Sequence, residues 1–186
     1  MMCPVFQATS MNMIKTKDIT LGEVEERKVG EQLEYVAKIY RTDGRKVVIN
    51  TPFFHLKNLT FENLGKSNIK IVHVPMTQWL RDQVRQIEQA VESQVELPED
   101  LEHLGLIMKH MYCNADMANI VTSKFLKFLP CNESGDIIAD IDEDVDVETL
   151  GDTEFSFKIE FPHVYMGNHK NGQTVSCSTR VTSIRF

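Results

Sequence analysis

The chain has few cysteines, no paired ones and no long apolar run, and each of these absences removes a class of protein. Cys3, Cys113, Cys131 and Cys177 are scattered with no CxxC pair, so neither a disulfide framework nor a zinc site has support, and reduced, mostly buried thiols are expected. No apolar stretch nears the roughly 20 residues that span a bilayer. The segment Met1 to Phe6 lacks a basic region followed by an apolar run, so no secretory signal is read there and an intracellular, soluble protein is expected. There is no GxxxxGK[ST] phosphate loop, no GxGxxG, no HExxH and no GxSxG, and no enzymatic activity is expected.

Between Cys131 and Glu154 there is no lysine or arginine at all, whereas ten of the 27 acids lie there. The remaining 17 acids face 20 basic residues, so the net charge of -7 belongs to one segment and the body of the chain is mildly basic. Within that segment Asp140, Asp142, Asp144 and Asp146 alternate, but counting from Asp140 an EF-hand loop would need Gly at Val145 and Glu at Gly151. A solvated acidic loop is the default. The alternatives are a mimic of nucleic-acid phosphate, a docking site for a basic protein, or carboxylates holding metal in a nuclease. His103 and His110 are spaced to share a helix face without an evident third ligand, and the reading implies no cofactor or metal.

What is present is mostly β-patterned. A length of 186 residues suits one domain, with residues 1–13 as a flexible arm and 14–186 as the folded unit, carrying a helical insertion at 76–113 and the acidic segment at 131–154. Asp18 to Val29 reads as one or two strands. Gln32 to Asn50 reads as a hairpin about Asp43-Gly44, since that dipeptide accepts the positive φ of a tight turn. A strand follows at Asn68 to Val74. Leu80, Val84, Ile87 and Val91 recur at helical spacing behind Thr77 as N-cap, with Arg81, Asp82, Arg85, Glu88 and Glu92 on the wet side, which predicts a helix over 78–95. Leu101 to Tyr112 reads as a second short helix, and Ile120 to Leu129 as a strand. Phe155, Phe157, Ile159 and Phe161 alternate with polar residues, the pattern of a half-buried strand with its aromatics in the core. A turn at Gly167 to Gly172 and a returning strand from Val175 to Phe186 complete a closing hairpin. The fold class expected is mostly β with an inserted helix, arranged as an OB-like antiparallel barrel; an α+β sandwich is the alternative.

Aromatics interleaved with basic residues are the positive functional signal, because single strands are held by base stacking on rings while Lys and Arg follow the phosphates. The candidate nucleic-acid-binding residues are Lys38, Tyr40, Arg41, Arg45 and Lys46 about the first hairpin, and Phe53, Phe54, His55 and Lys57 beside Pro52. Lys158, Tyr165, His169, Lys170 and Arg180 add the closing hairpin. Trp79 is assigned to packing.

The stretch from Phe157 to Gly172, F-K-I-E-F-P-H-V-Y-M-G-N-H-K-N-G, ahead of a final strand and within this order of elements, resembles the single-stranded DNA-binding proteins of DNA viruses and phages. The likeness of layout covers roughly Gln32 to Phe186. It implies an OB-fold with a helix inserted before the last hairpin, sequence-tolerant coating of single-stranded DNA in replication, recombination or repair, and a place in the host nucleus or replication compartment. RNA in place of DNA, and a homo-oligomer, fit the same reading. A protein–protein module or structural subunit is the rival, and a metal-dependent nuclease stands third.

Overall fold

The structure is a computed structural model that describes residues 13–30, 32–65, 69–96, 106–109, 116–138, 150–169 and 172–186. Twelve strands and one α-helix lie among these residues: β1 (Ile19–Val29), β2 (Gln32–Arg41), β3 (Val48–Asn50), β4 (Phe54–Asn58), β5 (Phe61–Asn63), β6 (Lys70–Pro75), α1 (Gln78–Gln94), β7 (Leu106–Met108), β8 (Met117–Leu129), β9 (Gly151–Glu160), β10 (His163–His169), β11 (Gly172–Cys177) and β12 (Arg180–Arg185). The mostly β class with an inserted helix is observed. The strands form two sheets and, among the described residues, no closed barrel. One sheet runs β1-β2-β10-β11-β7 and the other β3-β9-β12-β8-β6-β5, with β4 also pairing β9.

The Asp43-Gly44 turn forms, with Gly44 at φ 81° and the Arg41 N–H donating to the Arg45 carbonyl at 2.7 Å. The hairpin expected around it does not extend beyond the single Tyr40–Lys46 bridge. From there β2 pairs with β1 and β10 in one sheet, while β3 pairs with β9 in the other. The turn is therefore a corner between sheets, not the tip of a ribbon.

The closing hairpin is real and bent in the same way. Its base, β9 with β12, lies in the second sheet, and its tip, β10 with β11, lies in the first. Pro162 marks the bend: it has no N–H to continue a ladder, its carbonyl accepts from Ile39 at 3.0 Å, and the preceding Phe161 N–H donates to Val47 at 3.0 Å. Opposite, Ser178 donates its N–H to the His163 carbonyl at 2.8 Å, and its Oγ accepts from the His163 N–H at 3.2 Å. The strand expected over Val175 to Phe186 is thus two strands, and β10 reaches His169, two residues beyond the expected start of the turn.

Phe155, Phe157, Ile159 and Phe161 are all buried and join Val181 and Ile184 of β12, Val72 and Val74 of β6, Ala118 and Ile120 of β8, and Ala37, Ile39, Val164, Met166 and Val175 of the first sheet in one core. Helix α1 covers this core with Leu80, Val84, Ile87 and Val91. Its N-cap is Thr77, whose Oγ1 accepts from Leu80 N–H at 3.3 Å, and Trp79 packs against the core at its margin. Glu88, expected in solvent, is buried at 3% exposure. Burial, with the Glu88 charge adding to it, pushes the Cys177 thiol up to about 12. Gln83 and Gln86 tie the helix to the chain ahead of β1 through the Ile14 N–H at 2.9 Å and the Thr16 hydroxyl at 2.8 Å. The second helix expected over Leu101 to Tyr112 is contradicted at Leu106–Met108, which is a strand parallel to β11; 101–105 and 110–112 lie outside the described residues, as do His103, His110 and most of the expected arm. No helix among the described residues is long and apolar enough to cross a membrane.

Candidate nucleic-acid interface

Because Phe157 and Ile159 point into the core, Lys158 and Glu160 point the other way. On β12 the same alternation puts Arg180 outside and Val181 inside. An extra residue, Thr182, lies between the β9 partners Ile159 and Lys158, and this bulge resets the phase so that Ser183, itself only 5% exposed, and Arg185 lie on the outer side while Ile184 lies in the core. Register across the neighbouring strands then gives three rows on one face: Arg185 beside Ser156, then Lys127, Ser183, Lys158 and Asn50, then Val121, Arg180, Glu160 and Val48.

The bent hairpin carries this face into the first sheet. There Val164 and Ala37 are paired and buried in the core, so by alternation their neighbours His163, Lys38, Tyr165 and Val36 occupy the opposite face, with His163 across from Lys38 and Tyr165 across from Val36. Lys38 is exposed, His163 and Tyr165 are half-buried, and Val36 is covered at 2% exposure. The His163 and Tyr165 rings lie 6.1 Å apart. A stripe of cations, Arg185, Lys158, Lys127, Arg180 and Lys38, thus runs from the base of the hairpin over its bend to a pair of rings.

Two carboxylates temper the stripe. Glu160, 4% exposed, accepts from Arg180 Nε at 3.0 Å and lies 3.2 Å from Lys46 Nζ. Burial works against its charged form, but the hydrogen bonds from Arg180 and Lys46 outweigh burial and hold the carboxyl below its ordinary value. Glu25 pairs with Arg27 at 3.8 Å. Burial first, then the charges of Arg27, Arg180 and Lys38, push His163 below its ordinary value against the pull of Glu25, leaving the imidazole neutral at pH 7.

The other candidates are dispersed. Arg45 is ion-paired with Asp43, whose carboxyl its hydrogen bond holds down to about 2. Arg41 is partly buried, and its Nε has no hydrogen-bond partner among the described residues. Tyr40 lies against Gly22, where a Cβ would come within 3.2 Å of its ring. Phe54 is half-buried and packs against the core, its ring stacked on Phe157 at 6.4 Å between centroids, which leaves one ring face already occupied. Phe53 is exposed and lies against Gly135. His55 and Lys57 share the outer face with the stripe but sit opposite Glu154 and beside Asp152, with His55 Nε2 3.3 Å from Asp152 Oδ1. At that end the surface is charge-compensated. His169 pairs with Gly172 through its backbone, and Lys170 lies outside the described residues, as do the carboxylates from Asp140 to Asp146.

Sequence reasoning missed Lys127 and Arg185, which register alone places on the stripe, and Phe125, which is 84% exposed. A visible signal for Phe125 was the loss of alternation in Lys124-Phe125-Leu126-Lys127-Phe128, where two adjacent apolar residues break the period of a strand. Among the described residues no group of three or more His, Cys, Asp or Glu is placed to hold a metal ion. A cleft of about 530 Å³ between β1 and the end of α1 contains Glu23 and Glu96 and no basic residue, which makes it a poor place for phosphate. No family model, curated protein or solved structure matches the chain.

Proposed function

We propose that this protein binds single-stranded DNA without catalysis, along the outer face of the bent hairpin. The observation that carries the reading is the convergence, by strand register, of Lys158, Arg180, Arg185, Lys127 and Lys38 on one face that ends at the His163 and Tyr165 rings. Cations spaced along a strand ladder match a phosphate backbone, and rings at the end of the row offer faces to bases of any sequence. Backbone contacts carry no base identity, so the binding is sequence-tolerant. The OB-like arrangement belongs to the same proposal: a β-rich chain with a helix ahead of its last hairpin is what the resemblance to viral and phage proteins asks for, and with it come a role in replication, recombination or repair and an intracellular site of action. Glu160 keeps Lys46 and Arg180 ordered and offers them to an incoming phosphate as an alternative partner.

The test is fluorescence anisotropy with a labelled single-stranded oligonucleotide, with duplex DNA and RNA of the same sequence as competitors. Binding at about 50 mM salt that weakens steeply as salt rises is expected, because each neutralised phosphate releases counterions. Absence of binding at low salt would remove the reading.

A further inference from the structure

Between the pairs Thr122–Val181 and Lys127–Ser183, β8 contains four residues, 123–126, where β12 contains only Thr182. The strand therefore bulges out between two rows of the cationic stripe, the row of Arg180 and Val121 and the row of Lys127 and Lys158. The bulge is tied internally by the Phe125 N–H, which donates to Ser123 Oγ at 3.2 Å. Leu126 and Phe128 turn inward and pack on the core, Phe128 edge-on to Phe61 at 6.2 Å. Phe125 alone turns outward. At 84% exposure it is the most exposed of the large hydrophobic side chains among the described residues, and Lys124 and Lys127, both exposed, flank it.

We infer that Phe125 is a base-stacking residue, presented by the bulge to an unpaired nucleobase of a strand whose phosphates lie on the neighbouring cations. The inference rests on the proposed single-strand binding and adds to it a second stacking position, on β8 between the Arg180 row and the Lys127 row, separate from His163 and Tyr165 on β10. The occupant is set by charge and shape together. A ring between lysines suits a ligand that alternates anionic groups with flat apolar faces, as a single strand does, whereas an apolar protein surface would have to desolvate Lys124 and Lys127 to reach it. Duplex DNA keeps its bases stacked on one another and offers this ring nothing to stack on.

Full-length wild type, Phe125→Ala and Phe125→Trp are titrated with a labelled thymidine oligonucleotide of roughly 20 nucleotides and with an abasic backbone of equal length. Phe125→Ala is expected to lose about 5- to 150-fold in affinity for the base-bearing strand, the equivalent of one stacked base. Its affinity for the abasic strand and its salt slope are expected to stay unchanged. Phe125→Trp is expected to retain binding and to show emission quenched by the thymidine strand but not by the abasic one. Equal affinity of wild type and Phe125→Ala for the thymidine strand would overturn the inference while leaving single-strand binding intact, and equal losses on both strands would reassign the ring to a structural role. Failure of the wild type to bind either strand would remove both readings. Loss of self-association in Phe125→Ala, with DNA binding unchanged, would place the ring in an interface between copies and overturn the inference.

Discussion

His163 shows how a single side chain reports on its surroundings. Burial and the positive charges of Arg27, Arg180 and Lys38 disfavour its protonation, with only Glu25 opposing. A phosphate arriving on those cations offsets their charges, though not the burial, so binding favours proton uptake and affinity is predicted to rise as pH falls from 7.5 toward 6. In His163→Gln that rise disappears; anisotropy titrations across this range check it. Glu160 titrates the other way round for stability. Its carboxyl is held below its ordinary value of 4.5, chiefly against burial, by Arg180 and Lys46, so its contribution is present above pH 4.5 and is lost as pH falls through the depressed value. Urea midpoints of wild type are predicted to drop across that acidic range. Glu160→Gln is predicted to start about 1–3 kcal/mol less stable at neutral pH, from the loss of charge-assisted hydrogen bonds, and to show a flatter acid limb.

Among the elements, α1 is the most separable in its energetics. Leu80 is 1% exposed and faces the shared core, so Leu80→Ala is predicted to lower the unfolding free energy by about 2–5 kcal/mol, measured by denaturant titration, without altering the stripe. This helix was legible in the sequence because its period, its cap and its apolar face are all local. The alternating aromatics of β9 were legible for the same reason. The partners of β2 and β3 were not: a turn signal at Asp43-Gly44 states that the chain reverses, but whether the two arms pair depends on β1, β10 and β9, which lie far away in sequence. Leu106–Met108 was read as helical from apolar spacing, and only the parallel pairing with β11 makes it a strand. Of the site, Lys38, Lys158, Arg180 and Tyr165 were found from interleaved aromatic and basic residues, but so were Phe54, His55 and Lys57. Composition cannot distinguish a ring stacked on Phe157, or a cation beside Asp152, from one that faces solvent. The bulge that exposes Phe125 is a mismatch between two strands and is written in neither alone.

At the scale of the whole molecule, charge is arranged along the closing hairpin. Asp152 and Glu154 mark its start, Arg185, Lys158 and Arg180 occupy its middle with Lys127 of β8 and Lys38 of β2 on the neighbouring strands, and the His163 and Tyr165 rings stand beyond the bend. Binding by such a stripe depends on the number of phosphates neutralised, so Lys38→Ala with Lys158→Ala is predicted to reduce the slope of log affinity against log salt by about 1.4. His55→Ala with Lys57→Ala, on the same face but beside acids, serves as the matched control. The most direct measurement is the salt-dependent anisotropy titration of a single-stranded oligonucleotide by wild type and these two double variants. Steep salt dependence in wild type, a weaker and flatter response in the Lys38 and Lys158 variant, and a wild-type response in the His55 and Lys57 variant are the predicted result; no binding by wild type, or equal losses in both variants, would contradict a binding face along the bent hairpin.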